Sequence, residues 1–248
     1  TAMTLHRYSI LRCTIIATAS GIDRAAQDAL AMESHRRAGV AINTGWFKEQ
    51  ILPLMVKKGR QEVVFDTDEH VRADISSLDL QKLRAAFKKN GSVTAGNASG
   101  INDAAAALTL ASEDTVNTYG LPKLAIMRAS AVSGVAPELM GMGPVTAVKL
   151  ACSHAGLNVA DMSCIESNEA FAAQACAVAS ELGFAAEITN PNGGAIALGH
   201  PVGASGAIIL IKLMYELRRT GGRYGLATMC IGGGQGIAVI IENPEAKV

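Results

Sequence analysis

Two apolar runs, Tyr224–Cys230 and Ile237–Glu242, lie near the end of the chain, with little more than Gly232-Gly233-Gly234-Gln235-Gly236 between them. A parallel pairing needs a crossover connection of roughly a dozen residues or more, so this connection dictates an antiparallel pair. Upstream, strands alternate with helices. Lys123–Ala131 and Met162–Glu166 read as strands, and Val145–Ala155, Glu169–Leu182 and Ala204–Arg219 as helices. Pro144 suits a helix start, and Gly221-Gly222 suits a stop. Alternation of this kind gives an α/β layered fold, and the closing antiparallel pair makes its sheet mixed.

Between residues 91 and 110 small residues dominate, with Ser92–Ala95 expected as a strand and Gly100–Ala107 as an Ala-rich helix. Earlier, Asp23 to about Ala38 places Ala26, Leu30 and Ala31 among charged residues, as an amphipathic helix with Asp23 near its N-cap does. Residues 43–75 mix Gly, Pro and charge around one β-like run, Glu62–Phe65, and read as irregular and partly exposed. Ser77 followed by LDLQKLRAAF predicts a short capped helix. Residues 1–19 carry Arg7 and Arg12 with no acidic residue and an apolar Ile/Leu run. That composition resembles an import or secretory leader, and a strand or an extraneous start is the alternative.

Several function classes lose support at once. Lys+Arg and Asp+Glu balance at 22 each, which removes the global attraction that a nonspecific nucleic-acid binder relies on. No apolar run approaches the ~20 residues of a membrane-spanning helix. The five cysteines form no CxxC pair, and the five histidines show no ligand spacing with them. Neither a disulfide framework nor a zinc site is indicated, and a reducing, cytoplasmic setting is expected.

Four stretches place polar groups at the ends of apolar elements. Thr94-Ala95-Gly96-Asn97-Ala98-Ser99-Gly100 brings the backbone close to something narrow, and Ser99 is able to hydrogen-bond a ligand amide; a tight turn capped by Ser or Asn is the alternative. In Ser167-Asn168-Glu169-Ala170-Phe171 the Asn168 amide can either cap the following helix or hold a water or substrate oxygen. The segment Asn192–Gly206 carries five glycines and, between Gly199 and Pro201, His200, a histidine placed as a positioned catalytic group rather than a core filler. In Cys230-Ile231-Gly232-Gly233-Gly234-Gln235-Gly236 a thiol ends a strand beside glycine amides. It is either a buried structural cysteine or a base whose pKa those amides lower. The phosphate-cradling GxxxxGK pattern is absent, and no GxGxxG follows a first strand.

In this order, GNASGIND, ESNEAFAAQACAV, NGGAIALGHPVGASGA and CIGGGQG resemble the thiolases, close to the biosynthetic acetyl-CoA acetyltransferases. The resemblance spans about residues 20–242 and is tight from residue 91. It implies the layered αβαβα fold, coenzyme A thioester substrates such as acetyl-CoA and acetoacetyl-CoA, no further cofactor or metal, and a homo-oligomer. By the same resemblance His200 is the oxyanion-hole histidine and Asn168 the asparagine that holds an oxyanion-hole water. Cys230 is the acid/base cysteine, and Gly232 supplies a backbone N–H of the second oxyanion hole. Ser99 contacts the pantetheine arm, and Met140 and Phe171 line the acyl pocket. Arg72 lies near the nucleotide end of coenzyme A, with Leu83 and Phe87 along its groove. Residues 1–90 then correspond to a remnant of the insertion segment that binds coenzyme A, 91–119 to the tail of the N-terminal half and 120–248 to the C-terminal half. One departure is large. The family's acyl-accepting cysteine, in a Cys-Gly-Ser/Ala-Gly type motif, has no counterpart here: Cys13, Cys152, Cys164 and Cys176 lie in other contexts. The first half-domain is therefore expected to be incomplete.

Overall fold

The computed structural model of the chain describes residues 13–86 and 88–246. Its main sheet contains β3 (Ile126–Gly134), β4 (Met162–Ser167), β5 (Tyr224–Ile231) and β6 (Gln235–Glu242), in the order β3-β6-β5-β4. β5 and β6 pair antiparallel from Ile231↔Gln235 to Tyr224↔Glu242, whereas β4 and β5 run parallel. The short glycine connection is feasible because Gly233 and Gly234 adopt φ of 94° and 100°, values open to glycine at no steric cost.

Alternation along the strands divides their side chains between two cores. Leu226, Ala238 and Ile240 face one core with Ala147, Val148 and Ala151 of α5 (Gly143–Ala155). Ala227, Val239 and Ile241 face the other, with Ile209, Leu213 and Leu217 of α8 (Ser205–Thr220). Helices thus cover both faces of one mixed sheet, the unit from which the expected αβαβα layering is built. Against this unit pack α2 (Arg24–Thr44), α6 (Ala172–Leu182) and the single turn α7 (Ala195–Leu198). As expected, the Asp23 carboxylate caps α2, accepting the Ala26 N–H at 2.7 Å. Among the described residues no helix is long and apolar enough to cross a membrane.

Six local expectations are corrected. Residues 43–75 contain a hairpin, β1 (Leu54–Lys58) and β2 (Gln61–Phe65), turning at Gly59 with φ 67°. The short helix α3 (Ser77–Gln81) is capped by Ser76, not Ser77, and stops early, where the Arg24 guanidinium takes the carbonyls of Leu80 and Leu83. Ser92–Ala95 is irregular, because the Asn97 side chain accepts the Thr94 N–H at 2.8 Å and folds the segment into a turn. Gly100–Ala107 is not helical. Residues 101–112 are almost all exposed or half-exposed, and so short a helix without packing is marginal. α6 begins at Ala172 rather than Glu169, since residues before it are held extended by the bridge Ala98↔Phe171 and by the Asn168 N–H to Thr228 carbonyl bond of 2.9 Å. Residues 13–19 are helical (α1) rather than extended, while residues 1–12 and the candidate groove residue Phe87 lie outside the described residues.

Candidate active site

The carboxyl ends of β4 and β5 lie side by side, Ser167 pairing with Thr228, so Asn168 emerges one position short of Cys230 on the neighbouring strand. Ligands in open α/β sheets gather at such ends. Because α6 starts late and takes Phe171 as its N-cap, the Asn168 side chain does not cap it. Its amide instead meets the ring of His200, Nδ2 to Nε2 at 3.4 Å.

The His200 turn is fixed on several sides. Its backbone N–H is shared between the Gly100 carbonyl at 3.1 Å and Asn102 Oδ1 at 3.2 Å. Gly199 adopts φ 96°, and any Cβ there would collide with the Asn102 amide, so glycine is required. The ring's Nδ1 lies 2.6 Å from Ser205 Oγ, at the first residue of α8. The adjacent Ser99 hydroxyl donates to the Ala170 carbonyl at 3.0 Å, tying the GNASG turn to the NEAF segment.

Cys230 is buried in a cluster with Met140, Ala170, Phe171, Val93 and Cys13, against which Ala98 packs. Met140 and Phe171, both expected at an acyl pocket, thus adjoin the thiol expected as acid/base. Burial pushes the Cys230 thiol up to about 11, with a backbone hydrogen bond opposing only weakly. This corrects the expectation that the nearby glycine amides lower it: desolvation wins. Cys13, which no motif singles out, is also raised, by burial and by the Cys230 charge. Gly232 is exposed, with open space beside it. Arg72 and Leu83 are exposed near α3, Leu83 lying against Gly96, and the Arg72 N–H donates to His35 Nδ1 at 3.1 Å. The observed contacts gather His200, Asn168, Ser99, Phe171, Met140 and Cys230 through shared neighbours, while Leu83 reaches the GNASG segment through Gly96. Among the described residues no group of three or more His, Cys, Asp or Glu side chains is placed to hold a metal.

Beneath these groups lies a polar network that motif reading missed. The Glu169 carboxylate accepts the Ser34 hydroxyl at 2.6 Å, the Asn190 amide at 2.9 Å and the Ile196 N–H at 3.3 Å, and Ser34 Oγ in turn accepts the Gly194 N–H at 2.9 Å. Burial raises the Glu169 pKa, and these hydrogen bonds oppose it. Nearby, buried Lys212 of α8 donates to Glu166 at 2.7 Å and to the Gly193 carbonyl at 2.5 Å. Glu166 is fully buried and its pKa is raised by desolvation, with Lys212 pulling it down. These bonds clamp the glycine loop that leads to His200 onto β4 and α8. The available signal was Lys212 itself, a charge within the apolar run IILIKLM.

Comparison with known proteins identifies the family. Residues 11–114 match the thiolase N-terminal domain and residues 121–243 the thiolase C-terminal domain. Beta-ketothiolase BktB of Cupriavidus necator is 55 % identical over 223 residues, covering 90 % of this chain and 57 % of that protein. An acetyl-CoA acetyltransferase of Escherichia coli is 52 % identical over 228 residues, covering 92 % and 58 %. The crystal structure of the Bacillus anthracis acetyl-CoA acetyltransferase superposes with a TM-score of 0.91 at 44 % identity, covering 94 % of this chain and 59 % of that one. That of human mitochondrial 3-ketoacyl-CoA thiolase gives 0.89 at 43 %, with the same coverage. The chain thus spans a little under three fifths of the length of these relatives. With both thiolase domains matched and the mixed α/β fold shared, the chain belongs to the thiolase family.

Proposed function

We propose that the chain works as part of a thiolase-type acyltransferase, catalysing thiol-dependent Claisen condensation of acetyl-CoA or thiolytic cleavage of acetoacetyl-CoA. The observation that carries this reading is the Asn168 amide set against the His200 ring, 3.4 Å away, at the strand end next to Cys230. The relatives' names, acetyl-CoA acetyltransferase and beta-ketothiolase, point to the same chemistry.

In this reading His200 and a water on Asn168 stabilise the negative oxygen of the thioester enolate as preorganised donors. Cys230 takes the α-proton and later returns it. A thiol near 11 is largely protonated at neutral pH, which suits the returning step, while its sparse thiolate is a strong base for a weakly acidic C–H. The Gly232 N–H serves the second oxyanion, Ser99 meets the pantetheine arm, and Met140 and Phe171 bound the acyl group. Arg72 meets the nucleotide end of coenzyme A, and Leu83 and Phe87 line its groove. No metal or other cofactor takes part. Residues 1–90 serve as the remnant of the coenzyme A-binding segment, 91–119 as the tail of the N-terminal half and 120–248 as the C-terminal half. The assembly is a cytoplasmic homo-oligomer, in keeping with five free cysteines.

A second reading has its own observation. The sequence contains no Cys-Gly-Ser/Ala-Gly type motif to accept the acyl group, which favours a catalytically incomplete protein that binds coenzyme A or serves a structural role. Calorimetric titration with acetyl-CoA tests the shared claim. Saturable binding that weakens at least tenfold in H200A and N168A is expected, and no binding by folded protein overturns it. Acetoacetyl-CoA thiolysis, with and without a chain supplying the missing cysteine, then separates the two readings.

A further inference from the structure

We propose that Ser205 is a positioning residue that holds neutral His200 in its Nε2–H tautomer, so that the ring presents a donor rather than a lone pair towards Asn168. The proposal rests on the reading of His200 as an oxyanion donor and deepens it, because only one of the two neutral tautomers can do that work.

The argument is one of counting protons. Ser205 Oγ lies 2.6 Å from His200 Nδ1 and 2.9 Å from the Pro201 carbonyl, and a hydroxyl has one proton to give. The Pro201 carbonyl also accepts the Ala204 N–H at 2.8 Å and the Ser205 N–H at 2.9 Å, so the hydroxyl would be a third donor on two lone pairs. Nδ1 is the uncrowded acceptor of the two. The shorter separation agrees: hydroxyl donors sit at about 2.7–2.8 Å and nitrogen donors nearer 2.9–3.0 Å. Ser205 is buried, so a hydroxyl proton without an acceptor would be costly there. On the far side of the ring the 3.4 Å separation from the Asn168 amide is too long to decide the tautomer against a 2.6 Å bond. The amide's oxygen and nitrogen exchange by a half-turn, which brings Oδ1 to face Nε2–H.

Position supports the assignment. Gly199 and the bonds from the His200 N–H to Gly100 and Asn102 fix the backbone from one side. Ser205, on the first turn of α8, fixes the ring from the other. Removing the hydroxyl leaves the backbone anchors in place and releases only the choice of protonated nitrogen.

The test is a long-range proton–nitrogen NMR correlation on the full chain labelled with nitrogen-15 in its histidines, recorded at alkaline pH where imidazole is neutral. The His200 signals are assigned by their loss in H200Q. The expected wild-type spectrum shows a protonated Nε2 and a bare, pyridine-type Nδ1. Ser205→Ala should shift His200 to a mixture of tautomers, and Ser205→Thr, which keeps the hydroxyl, should restore the wild-type pattern. A wild-type spectrum with the proton on Nδ1, or an unchanged tautomer in folded S205A, overturns the proposal. Should S205A fail to fold, the wild-type and S205T spectra decide between the same two outcomes. Titration of the same samples with acetyl-CoA keeps the two claims apart. A protonated Nε2 without binding refutes the functional reading alone, and a protonated Nε2 that persists in folded S205A, with binding intact, refutes the role of Ser205 alone.

Discussion

The Glu169 carboxylate occupies the space into which a side chain at position 194 would project: a Cβ built on Gly194 would overlap its carboxyl carbon and both oxygens. A carboxylate tip normally swings aside, but this one is pinned by Ser34, Asn190 and the Ile196 N–H. The glycine is therefore demanded by the acid of the NEAF segment, and together they seat the loop that carries His200.

Gly194→Ala should force those bonds apart and destabilise the chain by roughly 1–3 kcal/mol, the usual penalty for overpacking a filled site. Urea denaturation measures it. A loss below ~0.5 kcal/mol would show that the Glu169 cradle yields freely.

Lys212→Met should cost more, about 3–5 kcal/mol, because it strands the buried Glu166 carboxylate next to Glu169. The loss should grow as pH rises and Glu166 is driven to ionise. Adding Glu166→Gln should recover much of it, and a double-mutant cycle over pH reads both effects. Equal losses in K212M at low and high pH would contradict the pairing.

His35 provides an acid-sensitive element. Burial, then the charges of His70 and Arg72, hold its pKa down from 6.5 to about 4. The unfolded chain therefore binds more protons than the native one between those values. Stability from this site is complete above about 6.5 and is lost as pH falls through 4, on the order of 3 kcal/mol in all. Urea midpoints from pH 7 to pH 4 should fall in the wild type and fall less steeply in His35→Gln; parallel profiles would contradict this.

The β1–β2 hairpin displays the pair Met55 and Val64 on one face and Leu54 and Phe65 on the other, all exposed, and Leu52 beside it is 80 % exposed. Exposed apolar pairs on a hairpin promote association. Sedimentation velocity should show oligomers that weaken in Met55→Lys/Val64→Lys, whereas a stable wild-type monomer would contradict the proposed homo-oligomer.

Much of the sheet was legible because its signals are local. The short glycine turn dictates β5–β6 pairing, and the periodic apolar faces of α5 and α8 predict their own cores. What was misread depends on partners distant in sequence. The Ala-rich stretch after Gly100 carries helix propensity but finds little to pack against, and Asn168 reads as an N-cap until the Ala98↔Phe171 bridge delays α6. The motif residues His200, Asn168 and Cys230 were found through resemblance. Their supports, Ser34, Glu169, Asn190 and Lys212, were not, since contacts spanning up to 160 residues leave no spacing pattern. The Cys230 thiol was misjudged because amides nearby in sequence say nothing about burial, which controls its pKa.

The central claim is that donors at His200 and Asn168 and the thiol of Cys230 act on one thioester, and it can be measured without any acyl-accepting cysteine. Exchange of the acetyl-CoA methyl protons for deuterium, followed by proton NMR in heavy water, reports enolate formation alone. The account predicts exchange above the buffer rate with the wild-type chain, reduced to background in both H200A and C230A. Background exchange by a folded wild-type chain saturated with acetyl-CoA, or undiminished exchange in C230A, would contradict it.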